Sequence, residues 1–164
     1  MLSKDNNLDH PSKQRVLCLL TKEGEILLAE KKDGFGQGKW TGVGGKIEEG
    51  ETLEEAVCRE TLEEIGVTLI SFHKVALLDF IFPSKPDWSQ RVSVFIAKEW
   101  EGELRESEEM RPQWFNINSL PWRSMWDDYS YWLPRILKGE CLEAVISYGS
   151  DNQKVTSSKI RILT

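Results

Sequence analysis

The sequence is poor in several groups that enzymes commonly use. It holds two histidines, His10 and His73, neither beside an obvious nucleophile, which disfavours mechanisms needing a histidine base or several histidine ligands. Its three cysteines, Cys18, Cys58 and Cys141, are odd in number and form no CxxC pair, which argues against a disulfide framework or a zinc cluster and fits a reducing cytoplasm. Long hydrophobic runs are missing: a stretch such as Val16 to Leu20 is far too short to cross a bilayer. The opening MLSKDNNLDHPSKQ also lacks the apolar centre of a secretory leader. Excess positive charge is absent too, and a net charge of -6 speaks against a duplex nucleic-acid binder. A small phosphorylated ligand stays compatible with that charge if a metal screens the repulsion. There is no internal repeat and no low-complexity segment.

What is present describes one well-buried domain of 164 residues, 40% hydrophobic and 29% charged. Residues 1–14 are polar and read as a flexible N-terminal arm, with residues 15–164 as a single domain, expected to be monomeric. RVLCLLT (15–21) and EILLAEK (25–31), joined by Lys22-Glu23-Gly24, predict a hairpin. DGFGQGKWTGVGGK (33–46) reads as glycine-rich loop with one short strand around Trp40. A helix is predicted over 52–65, then strands over 73–82, 91–100 and 112–117, with a loop at 83–90. Residues 120–139 predict a loop ending in a helix capped by Asp127 or Asp128 and stopped at Gly139. Strands over 143–149 and 154–163 finish the chain, and strands on either side of few helices suggest a mixed sheet between helical layers.

The helix poses the chemical question. Thr52 followed by Glu55 has capping-box spacing, and Gly66 supplies the stop. Leu53, Ala56 and Val57 share a stripe that, continued two turns, reaches Glu60 and Glu64 with Glu63 at its edge. Neighbouring carboxylates repel by about 0.2–0.5 kcal/mol per pair when solvated, and by more when partly buried. Arg59 can pair with Glu63 but cannot neutralise Glu51, Glu60, Glu63 and Glu64 together. A hard divalent cation such as Mg²⁺ would, and the glycines Gly44-Gly45 leave room for a backbone carbonyl to approach one. A solvated acidic helix face is the alternative that the same letters allow.

GKIEEGETLEEAVCRETLEEIGV, Gly45 to Val67, resembles the signature of the Nudix hydrolases, with Gly45, Glu51, Arg59, Glu60, Glu63, Glu64, Gly66 and Val67 in register and Thr61 standing where an aliphatic residue is usual. KKDGFGQGKW, SEEMRPQWF and MWDDYSYWLP further resemble the branch that hydrolyses oxidised purine nucleoside triphosphates, the 8-oxo-dGTP diphosphatases. The resemblance implies an α+β Nudix fold, an α/β/α sandwich around a mixed sheet. It implies Mg²⁺, with Mn²⁺ as a substitute, held by the Gly45 carbonyl, Glu60 and Glu64, with Glu63 at the cluster. Arg59 would orient the acids, Glu51 would pair with it, and Glu109 would be a further metal-site or catalytic acid. Lys31 would lie near the substrate entrance and Lys46 near the phosphates. Phe35, Phe80, Trp126 and Trp132 would flank the purine.

The implied reaction is hydrolysis of a small nucleotide substrate, a nucleoside triphosphate, to the monophosphate and pyrophosphate, in the service of nucleotide-pool sanitation. Three positions depart from that branch. Asp128 aligns with the first of its paired aspartates and Tyr129 with the second, leaving Asp127 one position early. Thr41 stands for a base-contacting asparagine, and Val16 for a threonine. Other expectations compatible with the sequence are hydrolysis of another nucleoside diphosphate derivative, such as ADP-ribose or a dinucleoside polyphosphate, or a nucleotide-binding module without catalysis.

Overall fold

The computed structural model describes residues 10–163; most of the expected N-terminal arm, residues 1–9, lies outside the described residues. β1 (Gln14–Lys22) and β2 (Glu25–Lys31) form the predicted hairpin, paired antiparallel at Thr21 with Ile26 and Lys22 with Glu25. The glycine-rich segment yields two strands where one was expected, β3 (Trp40–Thr41) on β2 and β4 (Val43–Lys46) on β1. The reason lies in Gly44: a Cβ there would stand 1.9 Å from the Val16 carbonyl oxygen, so only glycine lets β4 approach β1 this closely. Loop composition and strand geometry coincide here, and composition alone pointed to the loop.

α1 (Leu53–Ile65) is framed as its sequence predicts. The Glu55 N–H donates to Thr52 Oγ1 at 3.1 Å, and Gly66, at φ 80°, turns the chain and donates its N–H to the Leu62 carbonyl. β5 (Thr68–Ile81) starts five residues before the prediction at His73, because the mixed-polarity stretch TLISF pairs with β6 through register shifts that erase a clean alternation. β6 (Gln90–Glu101), β7 (Met110–Asn116), β8 (Cys141–Tyr148) and β9 (Val155–Leu163) fall within two residues of expectation. α2 (Tyr129–Leu137) begins after Asp128, whose carboxylate makes no capping bond and is used elsewhere.

The strands join in one mixed sheet ordered β3-β2-β1-β6-β5-β8-β9, with β4 on β1 and β7 on β2; β1 with β6 and β5 with β8 are parallel. Apolar clusters cover both faces. Val16, Cys18 and Leu20 of β1 pack with Ala56, Val57 and Ile65 of α1, while Leu19 joins Trp132, Leu133 and Ile136 of α2. A sheet buried on both sides explains the unbroken apolar runs of β1 and β2. The result is an α+β sandwich with α1 and α2 on opposite faces.

Candidate active site

α1 changes character along its length. Ala56, Val57 and Ile65 are buried, and so is Glu64 at 5% exposure, while Glu60 is half-buried and Glu63 exposed. Thr61 also lies fully inside, and its hydroxyl donates to the Val57 carbonyl at 2.7 Å, which satisfies the one polar atom that departs from an aliphatic position.

One guanidinium organises the acids. Arg59 Nε donates to Glu51 at 2.7 Å, Nη1 to Glu60 at 2.8 Å and to Glu63 at 3.3 Å, and Nη2 to the Lys46 carbonyl at 3.0 Å. It holds the Glu51 carboxyl down to about 2. Glu60 moves the other way: burial pushes it up against the pull of Arg59. Glu64 is driven further, to about 8, by burial and then by the neighbouring Glu60 charge, although the Gly44 N–H donates to it at 3.2 Å. Two desolvated, mutually repelling acids are therefore under-compensated by the chain itself.

That chemistry fits a hard divalent cation. Gly45 adjoins the same acids, since a Cβ there would meet the Glu60 carboxyl at 2.6 Å, so glycine keeps the backbone beside the carboxylates. Among the described residues no three acidic, histidine or cysteine side chains converge as they stand. Arg59 holds Glu60 and Glu63, and Gly44 holds Glu64, in the places that ligation would call them from. Glu51 is braced on Arg59 and stands back from the cleft as its partner.

Two adjoining cavities meet at this point. The acidic cleft, about 890 Å³, is bordered by Glu60, Glu63, Glu64 and Glu109 together with Lys31 and Lys46, which is room for a hydrated, charged group. The neighbouring cavity, about 150 Å³, is tighter, and it brings together Phe35, Phe80, Trp126 and Trp132 on its walls. Phe35 stacks on Trp126 with ring centroids 5.1 Å apart, and Lys31 Nζ lies 3.9 Å from Glu109. Trp132 is fully buried and offers an edge of the wall more than a free face; its Nε1 donates to Asp128 at 2.8 Å.

The acids expected near the base separate. Asp128 lies at the apolar pocket, buried, accepting from Trp132 and from the Tyr148 hydroxyl, and burial raises it to about 6. Asp127, expected as a substrate contact or a helix cap, makes no side-chain cap and does not border the pocket; its Oδ2 accepts the Val155 N–H of β9 at 2.8 Å. Thr41 borders the pocket, but its hydroxyl is bonded to the Tyr129 hydroxyl at 2.5 Å, and the Gly42 N–H donates to that same tyrosine at 3.1 Å. Val16 commits its side chain to the α1-side core. Tyr129 and Tyr148 are pocket residues that sequence reasoning missed. Tyr129 was visible only as the residue in the second aspartate's place, and Tyr148 belongs to a strand 20 residues beyond Asp128.

Known proteins resemble this chain in sequence and in fold. The NUDIX domain family model matches residues 11–136. The chain is 46% identical over 127 residues to the oxidized purine nucleoside triphosphate hydrolase of Danio rerio and 43% identical to that of Mus musculus, each match covering 77% of this chain and 81% of the relative. A MutT protein of Bacillus halodurans superposes with TM-score 0.76 at 23% identity over 90% of this chain and 97% of its own, which shows the shared fold. A MutT NUDIX hydrolase of Burkholderia pseudomallei, 29% identical, superposes with TM-score 0.62 over 66% of this chain and 86% of its own. Family match, identity and fold agree that the chain belongs to the Nudix hydrolases.

Proposed function

We propose that the protein hydrolyses nucleoside triphosphates, oxidised purines such as 8-oxo-dGTP among them, to the monophosphate and pyrophosphate, and so cleans the nucleotide pool. The observation that carries this reading is the meeting of a flat aromatic pocket with an acidic cleft at Gly44, Gly45 and Glu64, a base site beside a polyphosphate site. The similarity to oxidised-purine hydrolases of zebrafish and mouse supports it.

Nudix hydrolases generally use a divalent metal ion, and the all-oxygen donor set favours Mg²⁺, or Mn²⁺ in its place. When bound, such an ion neutralises phosphate charge and acidifies a water. In this reading the Gly45 carbonyl, Glu60 and Glu64 hold it, Glu63 adjoins it, and Glu109 faces it across the cleft. Arg59, anchored on Glu51, keeps the carboxylates oriented until they are needed. Lys31 and Lys46 attract the phosphates, and Phe35, Phe80, Trp126 and Trp132 wall the pocket that takes the base. Asp128, ionised above about 6, offers an acceptor to the base edge. Three unpaired cysteines fit a cytoplasmic protein, and the reading needs one protomer and no nucleic-acid duplex or membrane. Among the described residues no helix is long and apolar enough to cross a membrane.

The engagement of Thr41 with Tyr129, and of Asp127 with β9, favours as second reading a nucleoside diphosphate derivative such as ADP-ribose, because fewer free groups remain to read an oxidised base. Rates on 8-oxo-dGTP, dGTP and ADP-ribose with Mg²⁺ separate the two. A higher kcat/KM on 8-oxo-dGTP is expected; equal values on oxidised and plain dGTP defeat the sanitation role, and a preference for ADP-ribose installs the second reading.

A further inference from the structure

A cation at the junction of the two cavities has no part in the motif or in the roles above. Arg15 sits on β1, in register with Lys46 of β4 on one side and Val92 of β6 on the other. It borders both the aromatic pocket and the acidic cleft, a position it shares with Lys31, Gly44, Gly45 and Glu64. Its Nε is buried and has no hydrogen-bond partner among the described residues. Native folds rarely leave a buried guanidinium donor without an acceptor, so a water, an ion or a ligand group completes its bonding, and at the junction of the two cavities a ligand group can reach it. The Glu60 carboxylate, whose charge acts on Arg15, is already bonded to Arg59 at 2.8 Å, so it attracts Arg15 without satisfying it.

A nucleotide with its base in the aromatic pocket and its terminal phosphates among the glutamates must pass its first phosphoryl group through this junction. We infer that Arg15 binds the α-phosphoryl group of the nucleotide, the one attached to the sugar. The inference rests on the nucleotide-hydrolase reading given above. A guanidinium presents planar, paired donors that match two phosphate oxygens, whereas Lys31, the other cation at the junction, is a point charge already 3.9 Å from Glu109. Because the α-phosphoryl group stays with the nucleoside when pyrophosphate leaves, Arg15 grips substrate and product alike. Its loss therefore raises KM more than it lowers kcat.

The test uses the full-length protein in EDTA, titrated calorimetrically with 8-oxo-dGMP and with the phosphate-free nucleoside 8-oxodeoxyguanosine. Wild type binds the monophosphate more tightly than the nucleoside. R15Q loses about tenfold in monophosphate affinity and nothing in nucleoside affinity, while R15K, which keeps charge without the fork, loses about threefold. With Mg²⁺ and triphosphate, R15Q raises KM about tenfold with kcat within about threefold. Unchanged monophosphate affinity in R15Q overturns the inference, and so does a parallel loss of nucleoside affinity, the mark of a merely structural arginine. If R15Q does not fold, the R15K comparison decides on the same criteria. A wild type that hydrolyses nucleoside triphosphates beside an indifferent R15Q removes the Arg15 role alone. A wild type that neither binds the monophosphate nor hydrolyses any triphosphate removes the nucleotide reading as well.

Discussion

Glu64 is the residue on which the proposed chemistry turns. It is buried at the cavity junction, its carboxyl is pushed up to about 8, and one backbone N–H is its only hydrogen-bond donor among the described residues. A carboxylate kept in so costly a place needs a cation, and Glu64→Gln should lower kcat at least about 100-fold while thermal unfolding stays cooperative. Turnover within a few-fold of wild type would show that Glu64 is no essential ligand. At the aromatic pocket, Tyr129→Phe strips the buried Gly42 N–H of its acceptor and should cost about 1–3 kcal/mol, measured by urea unfolding. An unchanged midpoint would mean that water or Thr41 replaces the tyrosine at no cost. The acids of α1 were legible in the sequence because helical spacing alone brings them onto one stripe. Tyr148, Arg15 and the bond of Asp127 to β9 were not, since each depends on a strand or a pairing register distant in the chain.

α1 and β4 act as a pair: the helix supplies carboxylates, and the strand supplies glycine backbone at the only distance the packing allows. Gly44→Ala would drive a Cβ to 1.9 Å from the Val16 carbonyl and should destabilise by more than about 3 kcal/mol, or prevent folding. Near-normal stability would contradict the observed β1–β4 approach. The helix also links pH to metal. With Glu64 raised from the ordinary 4.5 to about 8, the metal-free fold favours the protonated acid. Its contribution to stability is complete below pH 4.5 and is lost as pH rises through about 8. Metal needs the ionised acid, so ion affinity runs the opposite way, rising about tenfold per unit up to pH 8 and levelling above it. Calorimetry across pH 6–9 checks the slope; an affinity independent of pH would mean that Glu64 stands outside the site. The helix boundaries were readable from Thr52 and Gly66, because caps are local chemistry. β4 was not, because its glycines signal a loop unless the neighbouring strand is known.

At the scale of the whole molecule, the proposed function has a protein of net charge -6 act on an anionic substrate by concentrating acids on one helix, where a bound cation would invert the field. The layered architecture was legible in outline: strands on either side of few helices suggested a mixed sheet between helical layers, and a helix packs on each face. Which helix covers which face, and the bond between β9 and Asp127, come from strand order, which no local pattern encodes. The same field argument predicts that triphosphate binding weakens at least about tenfold in EDTA relative to Mg²⁺, since the uncompensated cleft repels phosphate. Equal binding would place the phosphates away from the acids. The most direct test of the central claim is calorimetric titration of Mg²⁺ into the protein with a non-hydrolysable triphosphate, beside the E60Q/E64Q double variant. Saturable ion uptake by wild type that vanishes in the double variant is the predicted result; uptake unaffected by removing both acids, or no uptake at all, would contradict it.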